Sequence, residues 1–155
     1  METNYSSRFF SLMLIGALSV SLWGFSSPKS FKSEDGRPTN CRNIHNSEER
    51  VGVSVTGFNG KSIDVSRLIS NRVSRNDLIG SLRIHASRDT FAPARVIVDG
   101  KTSDWYSPKL HRAYGTDYQV YCFDDLYTRA GSDIEVQFKS GDAEPRNIVM
   151  FIRSK

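Results

Sequence analysis

From Val51 to the C-terminus, apolar side chains recur at every second position in one short run after another. The clearest run is "SDIEVQFK", where Ile134, Val136 and Phe138 alternate with Glu135, Gln137 and Lys139. A period of two matches an extended chain, whose side chains point alternately to opposite faces, and not a helix of 3.6 residues per turn. "VGVSVTGF" sets Val51, Val53 and Val55 on one face. "LIGSLRIHA" sets Leu78, Gly80, Leu82, Ile84 and Ala86 on one face, with Ser81, Arg83 and His85 on the other. "YQVYCF" is partly apolar on both faces, and "NIVMFIR" is apolar on both, as a central strand is.

Turn residues separate these runs. Asn59-Gly60 and Asp99-Gly100 each carry the dipeptide that favours a two-residue hairpin turn. The stretch from Asp64 to Val73 is open between two readings. Val65, Leu68, Ile69 and Val73 fit one helical face with Asp64 as N-cap, and a bent strand fits equally. Seven or eight short strands without a long helix predict an all-β fold, a single antiparallel β-sandwich of immunoglobulin-like or jelly-roll-like form over residues 51–155. A small closed β-barrel is the alternative.

The first residues belong to a different class of segment. Met1 to Arg8 is short and polar, "FFSLMLIGALSVSLWGF" (residues 9–25) is uncharged, and the chain then turns sharply polar. This reads as a secretory signal peptide over residues 1–26, with Gly24 and Ser26 at the −3 and −1 places of the cut. An uncleaved anchor is the alternative, since seventeen residues reach the lower limit for a membrane span and more positive charge follows the run than precedes it. Residues 27–50, with Pro28, Gly36 and Pro38, read as a flexible polar lead-in, ordered near Cys41. His45 lies in it.

An exported chain with two cysteines is expected to pair them, so Cys41 and Cys122 predict a disulfide. In the chain-entropy model, a loop of about 80 residues makes that bond worth roughly 4 kcal/mol. The expected compartment is the periplasm or the extracellular space.

The net charge of +4 is mild, and its 21 basic residues are interleaved with 17 acidic ones. That pattern argues against nucleic acid and leaves a weak attraction to anionic surfaces. No nucleophile-elbow, zinc-protease or phosphate-loop motif is present. Ser107, His111 and Asp117 allow a triad on paper, but spacing alone carries no weight for one. Asp117, Asp124, Asp125 and Asp133 lie near one another in sequence without the spaced loop a calcium site uses. The expectation is no enzyme, no cofactor and no metal.

The strongest functional signal is "DWYSPKLHRAYGTDYQVYCFDD" (residues 104–125). Seven of the twelve aromatics outside the signal segment fall between Trp105 and Tyr127. Some must be core. The remainder, beside charged neighbours, suits a sugar ring or a protein hot spot. The candidate ligand residues are Trp105, Tyr106, His111, Arg112, Tyr114, Asp117 and Tyr121. The expected function is a non-catalytic binding protein for a carbohydrate or cell-envelope polymer through the 104–121 stretch. The alternatives are a protein-binding inhibitor, immunity or adhesion component and, last, a membrane-active toxin. After signal cleavage no stable membrane insertion is expected.

Overall fold

The structure, a computed structural model, describes residues 36–44 and 47–153. The signal segment, residues 27–35 of the lead-in and His45 lie outside the described residues. The described chain is almost wholly β, as the period-two runs predict. Its elements are β1 (Arg37–Pro38), β2 (Glu49–Ser54), β3 (Ser62–Asp64), α1 (Val65–Ile69), β4 (Leu78–Ser87) and β5 (Ala94–Val98). They continue with β6 (Lys101–Thr102), β7 (Tyr106–Ser107), β8 (Lys109–Ala113), β9 (Thr116–Phe123), β10 (Thr128–Arg129), β11 (Ile134–Phe138) and β12 (Pro145–Arg153).

These strands make two sheets. The first has the order β1-β7-β5-β11-β3, with β6 hydrogen-bonded to β5. The second has the order β2-β12-β4-β9-β8, with β10 on β4. All pairings are antiparallel except β1 with β7. Neither sheet closes on itself, so the barrel alternative is not realised. Among the described residues no helix is long and apolar enough to cross a membrane.

The core takes one face from each sheet. Ile134, Val136 and Phe138 of β11 are buried, and so are Leu82 and Ile84 of β4 and Ile148, Met150 and Ile152 of β12. Rings from the two sheets meet edge-on: Tyr121 to Phe138 at 5.6 Å and Tyr106 to Phe123 at 5.9 Å. β12 is flanked by β2 and β4, and its outward Val149 and Phe151 are buried as well as its core-facing residues, Phe151 lying under the Arg83 guanidinium, which accounts for its apolar character on both faces. The helical reading of residues 65–69 is the one that forms, and the Asp64 carboxylate accepts from the Arg67 amide at 3.0 Å as its N-cap.

Three expectations need correction. Asp99-Gly100 does turn a hairpin between β5 and β6, but Asn59-Gly60 does not. β2 pairs with β12 and β3 with β11, so this connection crosses from one sheet to the other. Asn59 Oδ1 accepts from the amides of Lys61 and Ser62 at 2.9 and 2.8 Å, which turns the chain without a ladder on both sides. Phe58, edge-on to Phe138 at 5.6 Å, draws the connection toward β11.

In β4 the pairing with β12 slips between Phe151 and Ile152, and the slip reverses the alternation. Ile79 therefore enters the core in place of Leu78 and Gly80. A Cβ at Gly80 would sit 2.9 Å from Glu48 Oε1, so a larger residue there has to displace that carboxylate.

The third concerns residues 104–117, where no run of alternating apolar residues predicts a strand before "YQVYCF". Lys109–Ala113 instead pairs with Thr116–Val120 as a hairpin whose tip is Tyr114-Gly115. Both tip residues have positive φ, 52° and 77°, as a two-residue hairpin turn of the favoured hand requires.

Candidate functional site

Cys41 and Cys122 form the expected disulfide, with their Cα atoms 5.3 Å apart. It fixes residues 36–44 as a strap. One end of the strap pairs with β7 through β1, and the other lies on the outward face of the second sheet. There the Arg42 amide donates to Asp124 Oδ2 at 2.7 Å, and Arg83 Nη2 donates to the Arg42 carbonyl at 2.7 Å. The Arg42 guanidinium bonds Ser81 Oγ at 2.8 Å and Glu48 Oε1 at 2.7 Å. Arg153 approaches the same Glu48 oxygen at 3.4 Å, and the Glu48 side chain is fully buried. A buried carboxylate requires partners of this kind.

Beside the strap, the outward side chains of β4, β8 and β9 enclose a solvent-open groove of about 260 Å³. Cys41, Arg83, His85, Lys109, His111, Tyr118 and Val120 line it. The parity of the strands explains the set. Arg83 and His85 alternate with core-facing Leu82 and Ile84, and Tyr118 and Val120 alternate with buried Gln119 and Tyr121. Register sets His111 opposite Tyr118 and Lys109 opposite Val120. The Tyr118 ring lies 5.0 Å from the His85 ring and 5.2 Å from the His111 ring.

The groove is electropositive. Burial, followed by the charges of Arg50 and Arg83 and the neighbouring His111, pushes the His85 pKa below the ordinary imidazole value. Burial likewise lowers the pKa of Arg83, whose guanidinium lies 4.9 Å from the Phe151 ring centre and still carries its charge at neutral pH. Among the described residues no carboxylate lines the groove. A second cavity, of about 220 Å³, opens on the other side of the disulfide between Tyr106, Val96, Phe123 and Asp124. Its Asp124 already accepts from the strap; core residues share the rest of its wall with Asn40, Ser103 and Asp125.

The seven candidate ligand residues are dispersed. Tyr121 is fully buried, with its hydroxyl donating to the Ala92 carbonyl. Burial raises its pKa, which leaves it a neutral core residue. Tyr106 packs on the core through Phe123. Trp105 lies against the outward side chains of the other sheet, with Arg95 4.5 Å from its ring centre. Arg112 and Asp117 make a two-pronged ion pair at 2.7 and 3.2 Å across the hairpin, on the face opposite His111. That hydrogen bond raises the Arg112 pKa and lowers that of Asp117. It also parts Asp117 from His111, so the paper triad does not assemble. Tyr114 stands fully exposed at the tip. His111 alone of the seven reaches the groove.

Sequence reasoning missed Arg83, His85, Lys109, Tyr118 and Cys41 as groove residues. The outward parity of Arg83 and His85 was legible; their meeting with His111 was not, because it depends on the β8–β9 pairing. Among the described residues no three His, Cys, Asp or Glu side chains stand together as a metal site. No protein-family model matches the chain, and no curated protein matches it.

Proposed function

We propose that this chain is an exported, non-catalytic β-sandwich protein that binds a carbohydrate or cell-envelope polymer in the groove beside Tyr118. The observation that carries the reading is the groove itself, an aromatic floor flanked by two imidazoles and rimmed by Arg83 and Lys109. Aromatic faces accept the apolar side of a sugar ring, and polar groups around them fix its orientation. At about 260 Å³ the groove falls just below the range of about 300–1,000 Å³ usual for pockets that engulf whole small molecules. It therefore suits one unit of a longer chain. The disulfide and the uncharged segment at residues 9–25 support export. The opposed core faces of the two sheets support the sandwich.

The test is retention on immobilised polysaccharides, read alongside Tyr118→Ala and His111→Ala. Retention that both variants abolish is the expected result; retention indifferent to both sinks the reading.

A second reading, a protein partner at the hairpin tip, rests on Tyr114. This residue is fully exposed in a backbone conformation that favours Gly or Asn. Crosslinking through residue 114 to one stoichiometric partner would favour it over the groove.

A further inference from the structure

We infer that the groove recognises an oxyanion carried by a polysaccharide, a carboxylate or sulfate on a sugar ring. The inference rests on the binding reading above and adds the charge of the ligand. Two permanent cations, Arg83 and Lys109, and two imidazoles, His85 and His111, face one small space. The carboxylates nearest to them are committed elsewhere. Asp124 accepts from the Arg42 amide outside the groove, and its charge also reaches Arg83. Glu48 lies buried between Arg42 and Arg153. Asp117 bonds Arg112 on the opposite face of the hairpin. Among the described residues no carboxylate lines the groove, and although the charge of Asp124 acts on Arg83, the excess of positive charge left in this concave site selects an anion. Arginine and imidazolium donors then make charge-assisted hydrogen bonds to its oxygens.

A membrane headgroup offers the same oxyanion but a poorer fit. Lipid contact needs apolar side chains beside the cations. On β8 the alternation turns exposed Leu110 to the side opposite Lys109 and His111. The aromatic floor at Tyr118 suits a ring instead.

The site also carries a pH response. Arg83 on β4, Arg50 on β2, Tyr118 and Val120 on β9, and Lys109 and His111 on β8 surround His85, with Asn147 of β12 opposite it in register and Cys41 on the strap. Burial, followed by the charges of Arg50 and Arg83 and the neighbouring His111, disfavours the charged form of His85. A bound oxyanion reverses that balance, so binding takes up a proton and tightens as the pH falls.

The experiment measures binding of the full-length chain to polygalacturonate, dextran sulfate, neutral dextran and phosphatidylglycerol vesicles. It is run at about pH 5.5 and about pH 7.5, on either side of the ordinary imidazole range. The expected result is binding to the two acidic polymers, about tenfold tighter at the lower pH. The double variant Lys109→Gln/His111→Gln should lose about tenfold or more in affinity. Both residues are exposed on an edge strand, so an unchanged melting curve will show the fold intact. Lys61→Gln, which removes a charge outside the groove, should bind as the parent does.

Equal loss from Lys61→Gln would overturn the groove as the anion site. Vesicle binding without polymer binding would overturn the polysaccharide assignment. Equal binding of neutral dextran at both pH values would overturn the charge assignment and leave the binding reading intact. Silence toward every polymer would overturn both.

Discussion

The outward faces of the two sheets carry similar side chains and use them differently. On the first sheet Trp105 meets Arg95, whose guanidinium also donates to Gln137 Oε1 at 3.0 and 2.8 Å. Gln137 in turn donates to Glu135 at 3.2 Å. Lys139 lies 5.9 Å from the same indole. The aromatic ring, the cation and the carboxylate there satisfy one another. On the second sheet Tyr118 is flanked by His85 and His111 and rimmed by Arg83 and Lys109, with no carboxylate lining the groove. An aromatic beside a cation is therefore a poor sign of a binding site. Arg83 has partners of its own in the Arg42 carbonyl, the Phe151 ring and the charge of Asp124, so what distinguishes the two faces is that, among the described residues, no carboxylate lines the groove that Arg83 shares with Lys109 and the two imidazoles.

The harshest way to break the comparison is to release the strap that walls the groove. Cys41→Ser or Cys122→Ser should cost about 4 kcal/mol, read as a lower guanidinium midpoint. Binding should fall with it, while the contacts of Trp105 persist. Glu48→Gln comes next. It leaves Arg42 and Arg153 facing a neutral amide in a buried place, at a cost of about 3 kcal/mol. A denaturation midpoint equal to the parent's would show that the carboxylate does not anchor the strap.

A subtler pair of variants separates the faces. Trp105→Ala should remove about 1 kcal/mol of stability with its cation–π contact and leave ligand binding unchanged. His111→Ala should do the reverse, leaving the melting curve as it was and weakening binding. Loss of binding in Trp105→Ala would place the site on the wrong sheet.

Tyr114→Asn should stabilise the hairpin by about 0.5–1 kcal/mol, because Asn tolerates the left-handed backbone at the tip better than Tyr does. A melting temperature that drops instead would mean the ring makes a contact of its own.

The smallest effect is electrostatic. The His85 pKa is lowered in the folded state, so in acid the unfolded chain binds more protons than the folded one. Its contribution is present above the ordinary imidazole value of about 6.5 and is lost as pH falls through the folded value. A melting-temperature profile should show this slope below neutrality, and His85→Gln should flatten it.

Much of this fold could be read from the chain because alternation is local. The β11 pattern, the central place of β12 and the Asp99-Gly100 hairpin all follow from neighbours in sequence. The β8–β9 hairpin escaped for two physical reasons. Its turn uses Tyr114 where Asn, Asp or Gly is the recognisable choice. Its strand "KLHRA" lies at the sheet edge beyond the core and has no apolar alternation to betray it. The slip in β4 was hidden as well, because it depends on pairing with β12 and on the strap above Gly80.

The groove inherits these gaps. Arg83, His85 and Tyr118 are outward by parity, but only register joins them to Lys109, His111 and Cys41. Aromatic clustering pointed to the stretch that supplies His111 and Tyr118 to the groove. It favoured Trp105, Tyr106 and Tyr121, which pack against protein, over Tyr118.

The most direct measurement is an amide chemical-shift titration of the labelled protein with a short oligogalacturonate below neutral pH. The account predicts saturable shifts concentrated at Arg83 to His85, Lys109 to His111 and Tyr118, with Arg95, Trp105 and Gln137 silent. Shifts concentrated on that second set, or scattered over the whole surface without saturation, would contradict it.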